Sequence, residues 1–448
     1  MTRLGAYLMA FLAACAPAPQ EVATRSVPLS SSLADVKTFT AEPVRTPSRA
    51  NAAIAQDFLD LTFRLESGRE VPTLTRFEGP ISVRVVGAAS DLMISDLDQL
   101  LGRLRREANL NIAFAEGRDA NITVEAIPRA TLMAAVPNAA CFVVPRVSSW
   151  AEFLRVRRTA AVDWTTLNVR DEATIFVPSD VAPQEVRDCL HEELAQALGP
   201  LNDLYRLPDS VFNDDNIHNV LTSFDMLILR LTYAPELANG MQRQEVAARL
   251  PSLLARMNPS GQHAGTPAPP VTDSRWIASV RTALSARETP RNRRSAAQQA
   301  VTLSATQGWG DTREAFAHYA YGRLQVGYDS ERALTSFERA DAIYRSDPAT
   351  QIHSAHIAVQ RAAFALSRGD AATTITIADT AIPEARSHQN AALLATLMMF
   401  KAEALALQGQ TDAANALRLD SLGWARYGFG ADIQVQARIN EIAALRPS

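Results

Sequence analysis

In "SDLDQLLGRLRREANL" the apolar residues Leu97, Leu100, Leu101 and Leu104 recur at the three-and-four spacing of one helix face. That spacing predicts an amphipathic helix. Just before it, "GPISVRVVGA" alternates Ile81, Val83 and Val85 with other residues, the two-residue period of a strand. "NAAIAQDFLDLTFRLESG" predicts another helix, capped by Asn51 and stopping near Gly68. "NITVEAIP", "CFVVPRV" and "EATIFVP" are short β-branched runs and read as further strands. "SDVAPQEVRDCLHEELAQALG" returns to helix, with Pro183 in its first turn and Gly199 expected as a left-handed terminator. "LTSFDMLILRLTYAPEL" predicts a second strong helix. Residues 50–257 are therefore expected to form an α+β domain.

The pattern changes after Met257. "NPSGQHAGTPAPPVTD" is rich in Pro and Gly and reads as a linker over 258–273. Residues 274–448 are Ala-rich, helical throughout and repetitive. Small residues recur at Ala320, Gly327, Ala333 and Ala340, at Ala362, Gly369, Thr374 and Ala381, and at Ala402, Gly409, Ala414 and Ser421. Such positions let antiparallel helices approach closely around a tight turn. This resembles the tetratricopeptide repeat, with a looser period of about forty residues. The resemblance implies a helical solenoid whose concave face takes a protein or peptide partner and has no chemistry of its own.

A chain of 448 residues with 47% hydrophobic content suffices for two or three domains. Its net charge of −4 supplies no basic patch, so nucleic acid is not an expected partner. Lys37 and Lys401 are the sole lysines, and the other cationic side chains are Arg.

The N-terminus has a basic residue, Arg3, then an apolar run from Leu4 to Ala14 too short to span a bilayer. Leu12-Ala13-Ala14-Cys15 resembles the lipobox of bacterial lipoproteins. The resemblance implies a signal over 1–15, cleavage before Cys15 and acylation of that residue, which would anchor the protein in a membrane. The Pro-, Ser- and Thr-rich stretch 16–49 is then expected to be a flexible tether. Ala16 after the cysteine favours the outer membrane, facing the periplasm of a Gram-negative bacterium. Cys141 and Cys189 remain as an even pair in an oxidising compartment, and a disulfide between them is expected, with two buried thiols as the alternative.

The helix containing "CLHEELAQALGPLND" holds the candidate chemistry. Two metal ligands on one helix sit four residues apart, and four residues after His191 comes Ala195, which coordinates nothing. Shifted by one, the pattern resembles the metzincin zinc peptidases. That resemblance puts Glu192 and Gln196 at ligand positions, Glu193 at the general-base position, Gly199 at the turn and Asn202 or Asp203 at the third ligand. "LTSFDMLILRLTY" resembles the last metzincin helix, and "SVFNDDN" stands where those enzymes have a Met-containing turn, with Phe212 near the methionine. The same stretch also resembles a group of proteobacterial lipoproteins known only as a domain of unknown function, with an "EELxQxLGxxND" helix and an "LTxxDxxLLRxLYxP" helix.

The chemistry argues against zinc, because amide oxygen is a poor zinc ligand and an all-oxygen set suits calcium, magnesium or manganese. His191 faces about a hundred degrees away from Glu192 and reads as a surface or second-layer residue. Asn213, Asp214 and Asp215 could hold calcium but read better as a solvated turn. Trp150, Trp164 and Trp276 read as core or domain-contact residues. No Gly-rich phosphate loop or Ser/His/Asp set stands out.

Three readings stay open for Glu192, Glu193, Gln196 and Asn202: a structural polar cluster, a groove that binds polypeptide without cutting it, or a hydrolase. The last would use an oxygen-liganded divalent metal or Glu193 acting on water directly. The expected fold is thus a degenerate metzincin-like α+β domain followed by an all-α, tetratricopeptide-like domain. The expected role is a non-catalytic, membrane-anchored binding protein without a cofactor, the alternatives being a metal-dependent hydrolase and a purely structural lipoprotein.

Overall fold

Strands β1 (Ile81–Gly87), β2 (Ile112–Phe114), β3 (Ile122–Ile127), β4 (Phe142–Pro145) and β5 (Ala173–Pro178) form one sheet in the order β2-β1-β3-β5-β4. In this computed structural model, which describes residues 36–39, 47, 49–117, 119–137, 139–265 and 268–447, only the edge strand β4 runs antiparallel. Parallel neighbours need a crossover, and α2 (Asp91–Glu107) supplies the one from β1 to β2. β5 is buried at every position, which is why its sequence is nearly continuous in apolar residues. β2 escapes the periodicity because it is three residues long and turns two of them outward.

One face of the sheet is covered by α1 (Asn51–Thr62), α2, α5 (Pro183–Leu198), α6 (Ser223–Thr232) and α7 (Arg243–Met257), whose apolar residues share one core. The other face carries α3 (Arg129–Ala135) and α4 (Trp150–Val156), with Trp150, Phe142, Phe153 and Phe176 in mutual ring contact. Local chemistry sets the helix ends. Ser90 starts α2 by accepting from the Met93 amide. Asn51 lies inside α1 rather than capping it, and its Nδ2 donates to the carbonyls of Leu254, in the last turn of α7, and of Asn258 just after it. Gly199 ends α5 at φ −172°, so it is not a left-handed terminator. Space requires it instead, since a Cβ there would lie 3.0 Å from Thr232 Cγ2.

Four antiparallel pairs and a final helix make up a helical-repeat-like C-terminal region. The pairs are α8 (Ser274–Leu284) with α9 (Pro290–Gln307), and α10 (Thr312–Gln325) with α11 (Ser330–Arg345). Next come α12 (Gln351–Ser367) with α13 (Ala371–Ser387), then α14 (Ala391–Leu407) with α15 (Thr411–Phe429), and α16 (Asp432–Ala443) closes the row. The recurring Ala, Thr and Ser positions are all buried between helices. Gly369 and Gly409 take φ of +73° and +76° in the turns, a left-handed conformation that glycine adopts without steric cost.

The sheet layers and the helical array share one compact unit, which includes the described residues 36–39. Part of the expected tether belongs to it, a departure from a flexible chain. Phe39 stacks on Trp424 at 4.6 Å, the Lys37 amide donates to the Gly423 carbonyl, and the Lys37 ammonium meets Asp420. Cys15 and the expected signal over 1–15 lie outside the described residues. Among the described residues no helix is long and apolar enough to cross a membrane.

Helix spacing gives a direct test. A Cβ on Gly428 would stand 2.5 Å from the backbone of Ala392, whereas one on Gly327 would meet nothing. Gly428→Ala is expected to lower the unfolding free energy by about 1–3 kcal/mol. Gly327→Ala should leave the urea midpoint almost unchanged.

Candidate functional site

Helix α5 is held at both ends by groups from elsewhere in the chain. At its C-terminus the last carbonyls lack helical partners. Arg170, fully buried, donates to the carbonyls of Gln196 and Ala197 at 2.7 Å and of Gly199 at 2.6 Å. Its guanidinium lies over the Trp164 ring at 4.8 Å, and burial brings its pKa down to about 10. Tyr233 Oη donates to Leu198 O. Mid-helix, a disulfide joins Cys189 to Cys141 beside the edge strand β4. Closing that 48-residue span stabilises the fold by roughly 4 kcal/mol in the chain-entropy model.

The carboxyls of the expected site gather near the C-terminal half of α5. Glu193 is 6% exposed, accepts from the Val143 amide of β4, and leaves its Oε2 without a hydrogen-bond partner. Burial pushes its pKa well up, helped by Glu192 and Glu66. Burial, with Glu66 and Asp214, brings Glu192 up to about 7. Asp203 is raised well above the usual range by burial, then by Glu192, Glu66 and Asp214, and it shares a hydrogen bond with Glu66. Its Oδ1 also lacks a partner. Asn202 Nδ2 donates to the Asp60 carbonyl at 2.9 Å, and Gln196 is buried.

Glu66, from beyond α1, has no local signal that marks it, and Asp214, from the loop after α5, joins the cluster although its sequence reading was a solvated turn. A cleft of about 440 Å³ opens beside Glu66, Asn202, Asp203 and Tyr205, with Ile277 and Arg281 of α8 on its far wall. The Gln196 amide at one ligand position, with Asn202 or Asp203 at the third, does not fit a catalytic zinc. What the cluster can do is hold protons, because like charges in a buried site cannot all ionise.

Other sequence-level candidates fall differently. His191 is not at the surface: it is 2% exposed, its Nδ1 accepts from the Leu221 amide at 3.0 Å, and burial keeps it neutral. The Asn213–Asp215 turn is not solvated as a whole. Asn213 and Asp215 are buried and bond each other, and Asp215 Oδ1 accepts from the Ile217 amide. Trp276 is fully buried and lies edge-on to Tyr205 at 5.0 Å, joining α8 to the segment after α5.

That segment, 201–220, runs along the array and meets one helix of every pair. Tyr205 touches Trp276 of α8 and Phe316 of α10. Asp214 faces Arg281 of α8, and Asp215 meets His353 of α12 at 3.1 Å. Asn219 meets Asn390, the cap of α14. The first helix of each repeat pair therefore spends surface on this chain's own α/β part.

Residues 51–252 match the family model described as "Protein of unknown function (DUF2927)". This DUF2927 domain takes in the sheet, α5, α6 and most of α7. No curated protein and no solved structure matches the chain.

The buried carboxyl of Glu193 makes stability depend on pH. Its folded pKa lies above the unfolded value near 4.5, so its contribution is complete at acid pH and declines as pH rises through the folded pKa. Glu193→Gln keeps an acceptor for Val143 and removes the ionisation. Urea unfolding at pH 8 is expected to show a gain of about 1–3 kcal/mol over wild type, and at pH 4 no gain.

Proposed function

We propose that this is a lipid-anchored protein of the outer membrane, facing the periplasm, in which a metzincin-like body has become a non-catalytic scaffold for binding protein or peptide. The observation that carries this reading is the use made of α5. Its C-terminal carbonyls are closed by Arg170, its middle is tied to β4 by the disulfide, and Gln184 and Arg187 near its start bond Asn390 and Gln389 of the array. The helix that would carry catalysis serves as the joint between the two halves.

Several features support a metzincin-like ancestry. The strand order with one antiparallel edge strand, α5 ending at Gly199, and α6 opened by the Thr222–Asp225 capping box lie in the sequence order that the resemblance implies. The Gln196 amide at a ligand position supports the loss of zinc. The lipobox-like Leu12–Cys15 supports the anchor. A hydrolase using Glu193 is the second reading, favoured by Glu192 at about 7 and by the raised carboxyls beside it, which is the range acid–base catalysis uses.

Metal binding and proteolysis separate the two. The purified protein is incubated with zinc, calcium or manganese, desalted and weighed by native mass spectrometry, and then assayed on casein. The scaffold reading expects less than about one metal per ten chains and no cleavage. About one metal per chain, lost in Glu192→Ala/Gln196→Ala, with cleavage abolished by Glu193→Ala, would establish the hydrolase instead.

A further inference from the structure

Five of the seven histidines collect along the seam between segment 201–221 and its neighbours. His218, in the segment, lies 5.4 Å from His353 of α12 and 5.8 Å from His388 at the end of α13, ring centre to ring centre. His356, one helical turn after His353, stands 3.5 Å from Asn390 Nδ2. His191 of α5 receives the Leu221 amide where the segment ends. Four imidazoles thus converge on one place and a fifth holds the segment's exit.

The anions available to them are few. Asp215 pairs with His353 Nε2, but its oxygens already accept from Asn213 and Ile217. Glu384 of α13 lies 3.9 Å from His388 Nδ1. Neutral ring contacts include the Pro208 carbonyl at His218 Nε2, the Glu384 carbonyl at His388 Nδ1 and the Tyr344 ring of α11 against His353. His353 Nδ1 is buried without a partner. Arg323 of α10 acts on His356, and Arg187 and Arg103 act on His191, all against a further positive charge. On α5, Asp188 is held by Asn219, and within the segment Asp209 faces Arg49; burial pushes both carboxyls up, so they are poor counter-ions and their protonation works against the imidazoles by favouring the closed seam.

We propose that this seam is an acid-operated latch: protonation of the clustered imidazoles detaches residues 207–221 from α12–α14 while the sheet and the helical pairs stay folded. The direction follows from linkage. Burial holds His218 and His191 well below 6.5 and His356 at about 3 in the closed seam. An opened seam would return them toward 6.5, so the open form binds more protons and gains as pH falls below that value. The carboxyls around Glu192 and Asp203, raised rather than lowered, favour the folded form on acidification and so oppose general unfolding. At the Tyr205 end the Trp276 and Phe316 contacts do not titrate in this range, so that end acts as the hinge.

Hydrogen exchange followed by mass spectrometry, corrected for the intrinsic pH dependence, tests this on the purified protein at pH 7.5 and 5.0. Protection of the Ile217 and Leu221 amides is expected to fall at least tenfold at pH 5.0. Protection in β3 and β5 should change less than twofold. In His218→Gln/His356→Gln the fall should shrink below threefold. Unchanged wild-type protection at these amides, or an equal fall in the folded double variant, overturns the latch. Should that variant not fold, the wild-type pattern decides: loss confined to 207–221 and the α12–α14 contacts supports it, and equal loss across α8 and α9 overturns it.

Discussion

Arg170 is the constraint on which the site depends. The end of a buried helix presents carbonyls that water cannot reach, and leaving them unpaired costs on the order of 1–3 kcal/mol each. One guanidinium closes three of them while lying on Trp164. Because the cap is a fixed positive charge, it sets where α5 stops and where residues 200–203 turn toward α1. Asn202 and Asp203 reach Asp60 and Glu66 only from that turn.

The second half of the molecule is organised around the same helix. The first helix of each pair in the array meets the chain that emerges from α5. Aromatic contacts hold one end of the segment and polar ones the other, so the seam is mixed in chemistry along its length. A partner for the array must therefore use another face or displace this segment.

Much of the layout was legible because it is local. Leu97, Leu100, Leu101 and Leu104 share a buried face, the Ile81–Val83 alternation marks β1, and Pro183 begins α5. Parity of the cysteines anticipated the Cys141–Cys189 bridge. The small residues buried between helices mark the repeat-like region in the sequence itself. Legibility fails where a role is conferred by distant residues. Nothing near Arg170 says that it caps a helix beginning at Pro183, and nothing near Glu66 says that it shares a hydrogen bond with Asp203. Whether His191 lay at the surface or in a second layer was not legible, because the amide that satisfies it, Leu221, arrives from another loop.

The stacking of Phe39 on Trp424 has a consequence for how the molecule is made. The paired Lys37 and Asp420 are 383 positions apart. A ribosome adding about 5–20 residues per second needs roughly 20–80 s to supply the second partner. Throughout that interval the aromatic ring near the start of the chain has no surface to rest on. Asp96 likewise waits for Tyr427, and Gln184 for Asn390. Early-made parts are thus completed by late-made ones, and assembly closes back upon its own beginning. Until α15 emerges, the nascent polypeptide presents sticky, unfinished surface, the condition under which a holding chaperone earns its place.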